Sequence, residues 1–376
     1  MLPKKRKILF FSAPIGAGHT RAAQAVRTAM LRQDPDAEVK IANIFDFFSP
    51  MVGQLILKIY LIILSLFPPA YGLMYRWGNK DVSASLISQI INWFLASRMH
   101  RLILEYRPDA IVCTHATPAG LAAYLAKYHG MKVPITAVIT DYAVHRLWVY
   151  PEMERYFVAN SSLCAVLEGY GIERSRVDSV GIPVEQAFGV TYSRERVCRQ
   201  LGLAADKKTL LVMGGGAGVL PMDEIILLCN ELEEPLQIMV VTGNNRVMYN
   251  KIESLKPSLK CTLRLFGYVN NIHELMGAAD LLISKPGGLT ASEALCAGLP
   301  ILVYKPIPGQ EEANTAYLIN HGVAVRADSL DEIRTHLLNL LDDTDTLAYM
   351  GRQAVALGRP QAADTIAATI FSQVCS

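Results

Sequence analysis

His19 closes a glycine loop, Ser12-Ala13-Pro14-Ile15-Gly16-Ala17-Gly18-His19, between an apolar run and a helical pattern that opens at Thr20. The positive end of a helix disfavours an imidazolium, so a histidine placed there stays neutral and can accept a proton. A capping histidine is the plainer alternative. Two further stretches suit an anion. In Ser284 to Asn314 an apolar strand pattern ends at Lys285-Pro286, Gly287-Gly288 form a loop, and a helix capped by Thr290 or Ser292 follows. Free backbone N–H groups and the helix dipole both point at whatever sits in such a loop. Leu289 and Thr290 lie in that turn, and Glu293 is placed in the first turn, where it can accept a hydrogen bond from a sugar hydroxyl. After a second strand, Pro300 to Tyr304, a Pro-Gly loop carries Gln310, Glu311 and Asn314. Gly214-Gly215-Gly216-Ala217-Gly218, after Thr209 to Met213, is the densest glycine loop of the chain. Taken alone, each glycine pair is equally a tight strand-to-helix turn.

Short apolar runs alternating with helical patterns position these residues. Lys7 to Phe11, Glu38 to Ala42, Ala110 to Thr114 and Val133 to Ile139 read as strands of a first half. If they are parallel, strand ends at His115 and Asp141 lie on the same sheet edge as the His19 loop. The second half repeats the plan. Leu236 to Val241 ends at Gly243 and Asn244, and Leu263 to Phe266 ends at Gly267-Tyr268-Val269. Strand–glycine loop–helix units of this kind place ligands at the carboxyl edge of a sheet. The expectation is an α/β protein with two Rossmann-like domains, 1–188 and 189–355, and a last helix, 356–376, crossing back to the first.

Composition narrows the rest. A chain of 376 residues is long for one core. Hydrophobic residues make up 51% and charged residues 19%, yet no uninterrupted apolar run reaches the roughly 20 residues of a membrane span. A net charge of +2 gives no global reason to bind nucleic acid. The seven cysteines are scattered, without C-x-x-C spacing, so reduced thiols of a cytosolic protein are expected and no zinc site is. Lys4 to Lys7 followed by Ile8 to Phe11 is too short for a signal peptide and reads as a first strand. Residues 51–66 are apolar nearly all round, with Gln54, Lys58 and Ser65 on one narrow stripe. Pro68-Pro69 follow, then Tyr71, Tyr75, Arg76 and Trp77. A buried core helix fits this pattern. So does a helix lying in the water–lipid boundary through Ile59 and Ile63, with the aromatic residues as its belt.

The string K-P-G-G-L-T…E-A-L…G-L-P…P-G-Q-E…N closely resembles the donor signature of the diacylglycerol glycosyltransferases, the monogalactosyldiacylglycerol synthases and bacterial diacylglycerol glucosyltransferases. The Gly-x-Gly-His loop, T-D-Y-x-x-H-x-x-W…E-x-x-R-Y-F-V-A and F-P-P-x-Y-x-x-x-Y-R-W-G-N are similar to other segments of that family. The resemblance implies a GT-B fold, two Rossmann-like domains facing each other across a cleft. It implies inverting transfer of a hexose from UDP-galactose or UDP-glucose to the 3-hydroxyl of diacylglycerol. His19 and Asp141 become rival bases, and His145 and Trp148 become acceptor-side candidates. On its residues alone Trp148 reads as a packing residue. Val269 and Tyr268 would meet a uracil ring through backbone groups. The protein would be peripheral on the cytoplasmic face of an anionic membrane, with no tightly bound metal or cofactor beyond the UDP-sugar substrate. No D-x-D stands near the donor motifs, and Asp342-Asp343-Thr344-Asp345 reads as a solvated helix end. The peptidoglycan GlcNAc transferase and a non-catalytic nucleotide- or lipid-binding protein are the alternatives.

Overall fold

The computed structural model describes residues 5–14, 17–48, 86–190, 192–214, 220–232 and 236–374. The apolar segment 51–77, with Ile59, Ile63, Tyr71, Tyr75 and Trp77, lies outside them, as do Gly215 and Gly216. Two compact units are present. The first holds residues 1–186, 308–310 and 361–376, and the second 187–307 and 311–360.

The first unit is built on a six-stranded sheet of order β2-β1-β3-β4-β5-β6. Its strands are β1 (Lys7–Ser12), β2 (Glu38–Asn43), β3 (Ala110–Cys113), β4 (Ile135–Val138), β5 (Arg155–Val158) and β6 (Val177–Ser179). All pairings are parallel. The described helices are α1 (Gly18–Gln33), α2 (Leu86–Tyr106), α3 (Ala116–His129) and α4 (Ser162–Gly169). Strands buried on both faces read as unbroken apolar runs, which is why β1 carries Ile8-Leu9-Phe10-Phe11 with every one buried. The order reverses between β1 and β3, so the crevice at their carboxyl ends is the topological switch point where such sheets bind ligands.

The second unit repeats this with order β12-β11-β10-β7-β8-β9, again parallel. Along the chain run α5 (Arg194–Leu201), β7 (Thr209–Met213), α6 (Met222–Asn230), β8 (Gln237–Val241), α7 (Arg246–Leu255) and β9 (Thr262–Phe266). Then come α8 (Ile272–Ala278), β10 (Leu281–Ser284), α9 (Gly288–Cys296), β11 (Ile301–Tyr304), α10 (Gln310–Asn320) and β12 (Ala324–Ala327). Helices α11 (Leu330–Asp342) and α12 (Thr344–Leu357) follow. Here the switch point lies between β7 and β10, the two strands that lead into the glycine loops.

The last helix, α13 (Ala362–Val374), belongs to the first unit. Its Ile366, Ile370 and Phe371 pack with Phe10, Val26 and Met30 in one core. Arg32 pairs with Asp364 across the α1–α13 contact. Asp343, in the D-x-D look-alike, caps the N-terminus of α12 by accepting the Thr346 N–H at 2.9 Å.

Candidate active site

In the first unit three strand ends converge. His19 is the second residue of α1, and Thr114 and Thr140 follow β3 and β4. His19 Nδ1 lies 2.9 Å from the Thr114 carbonyl oxygen. A carbonyl only accepts, so Nδ1 carries the proton and donates it. Thr140 Oγ1, 2.7 Å from the same nitrogen, shares that donor. The neutral ring therefore keeps its lone pair on Nε2, the arrangement a general base needs. Burial lowers the His19 pKa, while the Asp141 carboxylate and the Thr114 hydrogen bond pull it back up. Asp141 is interior, 9% exposed, and acts on His19 through its charge.

A second imidazole completes this cluster. His115 stands edge-on to His19, with ring centroids 4.7 Å apart and planes at 88°. It caps α3, its Nδ1 accepting the Thr117 N–H at 3.1 Å, so its own proton sits on Nε2. Burial first, and the neighbouring His19 second, push its pKa down to about 3. The sequence places His115 and Thr140 at strand ends but gives neither a role. His145 caps the short 3-10 turn Arg146–Trp148 in the same manner, accepting the Leu147 N–H at 3.1 Å. Trp148 is 4% exposed, so its ring is a packing element of the first unit, as its residue context alone suggests.

The second unit brings together, at its own switch point, those of the residues expected to meet an anion that are described. Ser284 Oγ donates to the Met213 carbonyl at 2.9 Å and ties the ends of β10 and β7 together. Gly214 continues β7 and is buried. Helix α9 starts at Gly288, with Gly287 as its N-cap and no side-chain cap. This corrects the expected start: neither Thr290 nor Ser292 caps it, and Ser292 Oγ instead donates back to the Gly288 carbonyl at 2.9 Å. Leaving the cap position without a side chain keeps the first-turn N–H groups open to a ligand. The earlier start also moves Glu293 from the first turn to the second, where it is 1% exposed. Leu289 is buried beside it.

Helix α10 braces this loop. Asn314, fully buried, donates through Nδ2 to the Pro286 carbonyl at 3.0 Å. Glu311 accepts the Ile307 N–H at 2.8 Å and so closes the Pro-Gly loop, while Gln310 opens the helix. Lys285 Nζ donates to the carbonyl of Lys305, a non-glycine residue held at φ 44°. Burial lowers the Lys285 pKa, and Glu311 opposes that. Thus Asn314 holds the K-P-G-G turn at Pro286, and Glu311 holds the loop that follows β11.

Beyond β8 and β9 lies a cavity of about 410 Å³, lined by Thr242, Gly243, Asn244, Arg246, Tyr249 and Tyr268 among others. Gly243 adopts φ 57°, which turns the chain into α7. Tyr268 is 64% exposed at its rim, and Val269 is half-buried. Another cavity, about 560 Å³, lies between α2 and α3 with His100, Arg101 and His129, and holds none of the strand-end residues. Among the described residues no cluster of three or more His, Cys, Asp or Glu is arranged to hold a metal ion.

The family described as Monogalactosyldiacylglycerol (MGDG) synthase matches residues 19–184, the span from His19 through the acceptor-side motifs. Glycosyl transferases group 1 matches residues 193–356, the second sheet. A processive diacylglycerol beta-glucosyltransferase of Bacillus cereus (strain AH187) is 30% identical over 372 residues, 98% of this chain and 94% of that protein. The chain belongs to the diacylglycerol glycosyltransferase family. Solved structures share the fold at lower identity. Acinetobacter baumannii MurG aligns with a TM-score of 0.65 at 16% identity, covering 98% of this chain and all (100%) of that one. The S. aureus MnaA–UDP structure aligns at 0.66, also with 16% identity, over 98% and 97%. This diacylglycerol glycosyltransferase relative thus has the GT-B fold, in two parallel six-stranded sheets.

Proposed function

We propose that the chain is an inverting hexosyltransferase that moves glucose or galactose from a UDP-sugar to the 3-hydroxyl of 1,2-diacylglycerol, forming a monoglycosyldiacylglycerol. The observation that carries this reading is the full-length likeness to a processive diacylglycerol beta-glucosyltransferase. The chemistry follows from the first-unit cluster. The acceptor hydroxyl gives its proton to His19 Nε2 while its oxygen attacks the anomeric carbon. The bond from that carbon to the UDP oxygen breaks, and the electron pair leaves with the diphosphate. Asp141 stabilises the imidazolium that forms, or takes the proton in its place. Preorganised N–H donors at the start of α9 suit the charge developing on the diphosphate. The β8–β9 cavity and the exposed Tyr268 suit the base of a UDP, the ligand held by MnaA in its structure.

No helix of the described residues is long and apolar enough to cross a membrane. For a lipid acceptor, segment 51–77 is our candidate for docking on an anionic cytoplasmic leaflet. No tightly bound cofactor enters this scheme. The likeness to MurG is one of fold, and the GlcNAc-transfer alternative has no residue-level support of its own.

The test is product formation. Purified protein is given UDP-glucose, UDP-galactose or UDP-GlcNAc with diacylglycerol in anionic vesicles, and lipids are read by mass spectrometry. Monohexosyldiacylglycerol is the expected product. No hexosyl lipid from either hexose donor would overturn the reading.

A further inference from the structure

We propose that His115 is a positioning residue for His19, its ring serving as the wall that holds the His19 imidazole in the orientation set by Thr114 and Thr140. The inference deepens the transferase reading above and rests on it. The two rings meet edge to face at 4.7 Å and 88°. His19 has its Nδ1 held at one end by the Thr114 carbonyl and Thr140 Oγ1. Two bonds to one nitrogen fix a point and a direction, but the ring can still swing about that nitrogen. A neighbouring ring laid against it removes the swing. His115 is itself immobilised, because its Nδ1 is engaged by the Thr117 N–H at the start of α3.

Capping alone does not account for a histidine here. Asn, Asp, Ser and Thr are the preferred N-caps, and their short side chains do the same work. What an imidazole adds over them is a planar ring, and that ring touches His19. The partner must also stay uncharged. A cationic neighbour would oppose the imidazolium that His19 becomes when it takes a proton. Burial keeps His115 neutral down to about pH 3, so it presents no positive charge to that imidazolium.

Two substitutions separate the ring from the cap. His115→Asn keeps a cap acceptor and removes the ring. His115→Phe keeps a ring and removes the acceptor. We expect the Asn variant to melt near the wild type and bind UDP normally by calorimetry, but to lose about 10- to 100-fold in kcat, the usual effect of misplacing a catalytic group. The Phe variant should melt lower yet keep a kcat nearer the wild type. The 15N spectrum of the histidine rings should show the Nδ1–H form of His19 in the wild type, and averaged tautomers in His115→Asn. Wild-type kcat with an unchanged His19 spectrum in His115→Asn would reduce His115 to a cap. Equal losses in both variants would assign the effect to the His115 N–H and also overturn the proposal. Should His115→Phe fail to fold, His115→Asn and the spectrum decide alone. A wild type that makes no glycolipid would refute the transferase reading, while the spectra would still judge the contact.

Discussion

His19 and His115 touch edge to face, yet they hold their protons on opposite nitrogens. His19 donates from Nδ1 to a carbonyl, and His115 accepts at Nδ1 from a backbone N–H. One ring is thereby left with an accepting Nε2 and the other with a donating Nε2. The backbone, through Thr114 and Thr117, has assigned two chemically identical side chains to different work.

His19→Ala should lower turnover by about 100- to 10,000-fold, the range for loss of a general base. Affinity for UDP, measured by calorimetry, should stay near normal. Asp141→Asn is the matched comparison, because Asp141 is buried and acts on His19 through its charge. If His19→Ala keeps most of its activity while a folded Asp141→Asn is dead, the base is Asp141.

The pH dependence has a definite direction. Burial lowers the His19 pKa below its model-peptide value of about 6.5, so the basic form dominates at neutral pH. Turnover should therefore be flat through pH 7 and fall only as pH drops below about 6.5, with its midpoint on the acid side of that value. A midpoint above it would contradict the burial argument.

Stability carries the same sign through His115. In the unfolded chain this histidine takes a proton near pH 6.5. In the fold it resists until about pH 3. The unfolded state thus binds more protons as pH falls between those values, and stability is lost progressively over that window. The melting temperature of His115→Asn, which lacks this group, should fall less steeply than that of the wild type between pH 6.5 and 4. Parallel curves would show that the ring is not held neutral.

Glu293 is buried at 1% exposure, so truncation to Ala would mix binding with packing losses. Glu293→Gln preserves the volume and removes the charge. A lost charge-assisted hydrogen bond to a ribose would cost about 1.5–3 kcal/mol, or roughly 10- to 100-fold in UDP affinity. Unchanged affinity in a folded variant would remove Glu293 from the nucleotide site.

Residues 51–77 give a prediction from sequence alone. Replacing Ile59 and Ile63 by Asp should abolish flotation with anionic liposomes and leave UDP binding intact. A double variant that fails to fold would make the segment part of a core.

Much of this architecture is legible before any coordinates. Runs such as Ile8 to Phe11 and Leu281 to Ile283 read as doubly buried strands, and parallel pairing then puts the glycine loops of each sheet on one edge of it. What escapes is set by tertiary context. His115 and His19 are nearly a hundred positions apart, the Thr114 bond alone spanning 95, so no local spacing announces the contact. Histidine is also not among the residues that advertise a helix start, so the start of α3 at Ala116, behind a His115 cap, is not announced in the sequence. The cap of α9 is missed for the opposite reason. Thr290 and Ser292 carry cap chemistry, but a bare Gly287 does the capping.

Helix α13 adds a constraint in time. Phe10, Val26 and Met30 are synthesised long before Ile366, Ile370 and Phe371, which complete their core. During translation the first unit therefore waits with an unfinished interior while the second unit, 187–307 and 311–360, is made in between. A chain that stops short of α13 loses a piece of its first unit, and the nascent protein must shield those apolar side chains until α13 emerges.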